Sequence, residues 1–237
     1  MAGRKAAKVV SDLDDENIPA WQRRSMQRSL QQARARAHAR SDRFVRAAQQ
    51  LLEEKGDADF TVQDVVDRSR MSIRTFYKYF ASKEDLMVAV YETVVARDAV
   101  PRLRKRIEKI RDPLLRLRAY VEELVDLTSK VGPAGRTLAS FQNRLAESRP
   151  ADLARAMKPQ FHLLVELIED VARTRPLRRD LTVEAAARLT HYTVTAAVHA
   201  RVFGTQDASQ TSARAIFQYC AAGIGIDVDG SPARARR

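Results

Sequence analysis

The 237-residue chain carries 42 Lys and Arg against 30 Asp and Glu, a formal net charge of +12, with 45% hydrophobic residues and a single cysteine. The apolar share is enough for a packed core in one large domain or in a small head plus a larger body, while the charge and a pI of about 10.2 favour a polyanionic partner, nucleic acid or an anionic membrane surface. Excluded are a bilayer span, since no apolar run approaches roughly 20 residues, a secretory leader, since acids follow the short apolar stretch of the first residues at once, and an internal disulfide or cysteine-built zinc module, since Cys220 stands alone. The chain reads as cytoplasmic.

Residues 1–40 read as a basic N-terminal arm, flexible or transiently helical when free. An acidic patch, Asp12–Glu16, precedes Pro19, and eight arginines then fall between Gln22 and Arg46 with Asp42 as the only acid. Ala, Gln and Arg favour helix, but the segment has few large apolar residues to bury. A solvated charged face is the alternative reading of this run. Ser41 is expected to cap a helix that buries Phe44, Val45, Ala48, Leu51 and Leu52 and stops at Gly56.

Phe60-Thr61-Val62 looks briefly like a strand, yet Thr61 with Asp64 forms a capping-box start, and Val62, Val65 and Val66 share one helical side. A short helix over 62–69 follows. Arg70-Met71 then leads to Ser72, which caps a third helix ending at Tyr79, and Ser82-Lys83-Glu84-Asp85 is a capping box for a fourth. Two short helices joined by a tight turn make the helix-turn-helix layout. Beyond it the periodicity is helical throughout, with segments at 83–99, 101–111, 113–131, 134–147, 150–174, 182–203 and 208–224. Pro101, Pro113, Pro133, Pro150 and Pro176 fall at their boundaries. Pro159 is expected to kink or split the segment over 150–174. The fold class is all-α: an arm over 1–40, a DNA-binding head over 41–86, a helical body over 87–226 and a disordered tail over 227–237.

The strongest sequence feature is Thr61-Val62-x-x-Val65-Val66 followed by Met71-Ser72-x-x-Thr75-Phe76-Tyr77-x-Tyr79-Phe80-x-Ser82-Lys83-Glu84-x-Leu86. Residues 41–92 resemble the DNA-binding head of the TetR family of bacterial regulators. Where the family's turn usually carries glycine, this chain has Arg70, and glycine is favoured there because it tolerates positive φ. With Phe76 and Phe80 anchoring the third helix inward, Ser72, Ile73, Arg74, Thr75 and Lys78 are left outward near its N-terminal half, the part that meets base edges in a major groove. Arg74 suits a guanine through bidentate bonds, and Ile73 or Thr75 suits a thymine methyl. The resemblance implies phosphate contacts from Tyr77 and Lys83, with Thr61 and Gln63 as further phosphate candidates. Tyr77 and Tyr79 are alternatively core aromatics. Arg36 and Arg40 of the arm are candidates for an adjacent minor groove.

The resemblance also implies a homodimer through 182–224, a palindromic operator in double-stranded DNA, and a small-molecule effector held in the body. Phe141, Arg144, Phe161, His162, His191 and Tyr192 are pocket candidates, as are Gln142 and Glu166; ordinary core or surface residues are the other reading of each. His191 and His199 are spaced to share a helix face. Catalysis finds no support: there is no nucleophile motif, no glycine-rich phosphate loop and no metal-ligand spacing among the four histidines. No cofactor, metal or membrane partner is expected. The function expected is a sequence-specific transcriptional regulator, foremost a repressor released by its effector. An activator or ligand-independent regulator with the same head, and a non-specific nucleoid-type DNA-binding protein, are the alternatives.

Overall fold

The computed structural model of the chain describes residues 19–127, 132–204 and 211–228, and every regular element among them is helical, so the fold is all-α. The acidic patch, the end of the segment over 113–131, the start of that over 208–224 and the tail from 229 lie outside the described residues. The chain divides into two compact units, Met1–Phe44 and Val45–Arg237, so the division falls inside the first helix rather than between head and body.

Helix α1 (Ala20–Lys55) starts well before Ser41, where the sequence places a cap. Residues 22–40 hold no glycine or proline to interrupt a run of good helix formers. The Ser41 hydroxyl, instead of accepting from a following N–H, donates to the His38 carbonyl at 3.0 Å, the mid-helix use of a serine. The described part of the arm is therefore helical, and from Ala20 to Arg40 nearly every side chain is exposed.

In the second unit, the rest of α1 buries Val45, Ala47, Ala48, Leu51 and Leu52. Gly56 ends it at φ +75°, and its carbonyl accepts from Thr137 Oγ1 at 3.1 Å. A Cβ at position 56 would lie 2.7 Å from Pro133 Cβ, so only glycine fits this approach. Helix α2 (Val62–Ser69) begins with both halves of the expected capping box: Thr61 Oγ1 accepts from the Asp64 N–H, and the Thr61 N–H donates to Asp64 Oδ2. Helix α3 (Ile73–Tyr79) is capped by Ser72, and helix α4 (Lys83–Thr93) by Ser82, each hydroxyl accepting from the N–H three residues on. The Asp85 carboxylate is directed elsewhere, to Arg149 at 2.7 Å.

The segment expected over 83–99 does not remain α-helical. After α4 comes a π-helical turn (Val94–Ala99), and then α5 (Val100–Ile107). The Val100 N–H reaches back to Val95, and this wider turn stands directly before Pro101, which has no N–H to give. Helices α6 (Pro113–Asp126), α7 (Pro133–Ser148) and α8 (Pro150–Ala172) each open on proline in the first turn. Pro159 lies inside α8 without splitting it, so the expected split does not occur; Arg155, whose carbonyl it deprives of a partner, is an exposed residue. Helices α9 (Val183–Val202) and α10 (Ala213–Gly223) are capped by Thr182 and Ser212.

Helix α8 is the centre of the body, packing against α4, the π turn, α5, α6, α7 and α9 through Ala156, Leu163, Leu164, Leu167, Ile168 and Val171. Helix α10 lies on α6 and α9. A chain of charges braces the start of α8 against both ends of α4: Arg149 bridges Asp85 and Asp152, while Arg155 bridges Asp152 and Glu92 at 2.6 and 2.8 Å. The adjoining Arg155 and Arg149 guanidiniums hold the Asp152 carboxyl below the usual carboxylate range.

The turn between α2 and α3 confirms what Arg70 implied. Among the described residues Arg70 is the only non-glycine residue at positive φ (54°), with its N–H bonded to the Asp67 and Val66 carbonyls. Left-handed backbone with a Cβ is strained. Arg70→Gly is therefore expected to raise the unfolding free energy by roughly 0.5–1 kcal/mol, the relieved strain exceeding the added freedom of the unfolded chain. Urea unfolding measures it; an unchanged or lower midpoint would show that the turn holds Arg70 without strain.

Candidate functional site

Helix α3 is anchored by Phe76, fully buried, whose ring lies 5.6 Å from that of Phe80. Its opposite side carries Ser72, Ile73, Arg74, Tyr77 and Lys78, all exposed. Tyr77 is 57% exposed with its ring edge-on to Phe76, which removes it from the core, whereas Tyr79 is half-buried. Thr75 is half-buried, and its hydroxyl lies 2.8 Å from that of Ser72. Arg74 and Lys78 make no ion pair among the described residues. At the start of α2, Thr61 is occupied by its capping box, and Gln63 donates to Asp67 at 2.7 Å. Arg68 at the end of α2 meets Glu54 of α1 through two bonds of 2.6 Å, a bidentate pair that fixes the orientation of the short helix. In the first unit Arg36 and Arg40 are exposed, Arg36 donating to the Gln32 carbonyl.

Lys83 has a role that the sequence reading missed. Its side chain is half-buried, its ammonium donates to the Ala58 carbonyl, and it sits 4.7 Å from the Phe60 ring centroid. It ties the segment before α2 to the start of α4. A cation held this way reaches a phosphate only with whatever N–H it has left.

The second candidate site is a cavity of about 650 Å³ among α7, α8 and α9. Phe161, His162, His191 and Tyr192 line it, as does Gln142. Phe141 and Arg144 do not. Phe141 is buried against Tyr91 with ring centroids 6.5 Å apart, and the Arg144 guanidinium lies over the outer face of that ring. Glu166 pairs with Arg104 on another side of α8. Lys158, Arg188 and His199 were missed as lining residues, along with Asn143, Met157 and Thr195. The signal on α9 was present in the sequence: Arg188, His191 or Tyr192, Thr195 and His199 recur at intervals of about one turn along one side of the helix.

Within the cavity the Arg188 guanidinium lies 5.3 Å over the Phe161 ring, and the His191 ring is edge-on to Phe161 at 6.0 Å. Burial, and secondarily the Arg188 charge, hold the His191 imidazole below its ordinary range; burial does the same to His199. Both are neutral donor–acceptors at neutral pH. Among the described residues no group of three or more His, Cys, Asp or Glu is placed to hold a metal, and no helix is long and apolar enough to cross a membrane.

Two short helices across a tight turn, the second buried by one aromatic and otherwise presenting polar and basic side chains, define a helix-turn-helix DNA-binding protein. Residues 44–90 match the model of the bacterial regulatory proteins, tetR family. Solved structures extend the likeness in fold to the body. RolR in complex with resorcinol superposes with a TM-score of 0.64 at 17% identity, over 81% of this chain and 91% of that one. Thermus thermophilus FadR, a repressor in complex with lauroyl-CoA, gives 0.62 at 18% over 83% and 100%. The fatty acid degradation regulator FadR from Bacillus halodurans gives 0.58 at 21% over 77% and 98%. No curated protein matches the chain in sequence.

Two outcomes follow from these environments. Lys83→Met is expected to lower the unfolding free energy by about 1–2 kcal/mol, through loss of a charged hydrogen bond and a cation–π contact; weaker DNA binding at unchanged stability would instead make Lys83 a phosphate contact alone. For the histidines, folded pKa values below the unfolded 6.5 mean that the unfolded chain binds more protons. Stability is then full above pH 6.5 and declines as pH falls from there through the folded values. Thermal melts across pH 7.5 to 5 should show a shallower decline for His191→Gln than for the wild type, and parallel curves would count against the assignment.

Proposed function

We propose that the chain is a homodimeric transcriptional repressor that reads a palindromic operator and is released from it by a small molecule. The observation that carries the reading is α3: a helix anchored by Phe76, with Arg74 and Lys78 exposed and free of ion pairs among the described residues. Arg74 and Ile73 read base edges, and Ser72 and Thr75 border them. Tyr77 and Lys78 contact phosphate, with Thr61, Gln63 and Lys83 flanking. The exposed arginines of α1, Arg36 and Arg40 among them, add salt-sensitive affinity.

Dimerisation through 182–224 is supported by apolar side chains left open on α9 and α10: Leu189 (51% exposed), Tyr192 (59%) and Tyr219 (71%). Such side chains clustered on two helices favour burial against a second copy. The effector occupies the cavity among α7, α8 and α9. Similar folds hold resorcinol in RolR and lauroyl-CoA in Thermus thermophilus FadR, and the cavity volume is in the range of small-molecule sites. Release of DNA by the ligand fits repression, and this chain would work from the cytoplasm.

Selection of binding sites from random DNA tests the reading. The expected result is an inverted repeat whose half-site centres lie about 34 Å apart or a multiple of it. The same selection with Arg74→Ala should relax one position per half-site, equivalent to about 1–3 kcal/mol for each lost bidentate contact. Sites without dyad symmetry would refute the dimeric repressor. Uniform weakening by Arg74→Ala would move Arg74 to the phosphates.

A further inference from the structure

The cavity among α7, α8 and α9 has a one-sided charge. None of its lining residues is Asp or Glu, yet the lining includes Arg188, Lys158 and three histidines, His162, His191 and His199. Neither Arg188 nor Lys158 forms an ion pair among the described residues. Glu184, one helical turn before Arg188, does not pair with it, although body arginines such as Arg104, Arg116 and Arg149 all meet carboxylates. His199 Nε2 is buried without a hydrogen-bond partner among the described residues. The apolar part of the lining includes Leu153, Met157 and Phe161.

We infer that this cavity takes an organic anion with a flat apolar body, its carboxylate or equivalent oxyanion held by Arg188 with Lys158 and its body lying against Leu153, Met157 and Phe161. The inference rests on the reading of the cavity as the effector site and adds the chemical class of the effector. Filling the cavity displaces water from Arg188. A neutral ligand offers that charge no partner beyond solvent, a cation adds repulsion, and an anion supplies a charge-assisted bond with the planar, two-pronged geometry that guanidinium favours. Neutral His191 and His199 then serve as hydrogen-bonding groups for the polar edge of the ligand. The aromatic edges of Phe161 and His191 favour a ring over a chain.

The test uses three matched probes on the full chain, 2-naphthoate, its neutral isostere 2-naphthamide and 2-naphthylmethylammonium, by isothermal titration calorimetry. Occupancy of the cavity is read from the imidazole C–H signals of His191 and His199. Naphthoate should bind about tenfold or more tightly than the amide, consistent with a charge-assisted bond, with the ammonium weakest. Arg188→Gln should remove most of that preference by weakening naphthoate, and Arg188→Gln with Lys158→Gln should abolish it. Arg188 is exposed at the rim, so this variant keeps its fold, which circular dichroism verifies. Equal affinities, a preference for the ammonium, or a preference for naphthoate that survives Arg188→Gln with Lys158→Gln would overturn the inference while leaving the cavity as the effector site. If none of the probes shifts the two histidine signals, the effector-site reading falls and the inference falls with it.

Discussion

Burial of α8 on all but its outer strip is the constraint on which the body depends. Leu163, Leu164, Leu167, Ile168 and Val171 occupy adjoining sides of the helix, and five further helices together with the π turn pack round it. An α-helix with so wide an apolar surface has to be covered. Its N-terminal half is where that cover opens, and Leu153, Met157 and Phe161 there line the cavity. The same helix start is braced through Arg149 and Arg155 to Asp85 and Glu92 of α4, the helix that follows α3. One helix thus forms a wall of the cavity and braces the helix that follows α3.

Local chemistry was legible in the sequence wherever it decided the outcome. Thr61, Ser72 and Ser82 all cap the helices that their spacing implies, because a hydroxyl three residues before a free N–H needs no tertiary help. Arg70 in the turn was legible for the same reason. Prolines marked the starts of α6, α7 and α8, but the split expected at Pro159 misled, since the packing of α8 outweighs the loss of one backbone bond. Ser41 misled in the other direction: a serine can satisfy its hydroxyl within a helix, and the good helix formers before it extend α1 back to Ala20.

The sites divide along the same line. The exposed side of α3 follows from one anchoring phenylalanine, so Ile73, Arg74, Tyr77 and Lys78 could be read from spacing alone. The cavity draws on three helices, and no single-helix pattern reports which of their polar residues converge. Phe141 and Arg144 were plausible by type and are placed elsewhere by tertiary packing, while nothing in the local sequence distinguishes Lys158 as a lining residue. Lys83 shows a further limit. A basic residue at a helix start suits a phosphate, and only the fold reveals that Ala58 and Phe60 already engage it.

The π turn before Pro101 has a consequence for the register of the inward-facing residues. Tyr91 and Val95 are four apart, Val95 and Val100 five, then Leu103 and Ile107 follow at three and four, and all are buried. In an uninterrupted α-helix a step of five would swing Val100 away from Val95 by about 140°. The π turn absorbs the surplus residue, so that it acts as a one-residue insertion tolerated in mid-helix without displacing what comes after it. Removing one residue between Ala96 and Ala99 would turn the step of five back into four and let an ordinary α-helix present the same apolar side, whereas a similar deletion within α8 would rotate half of its buried side toward solvent.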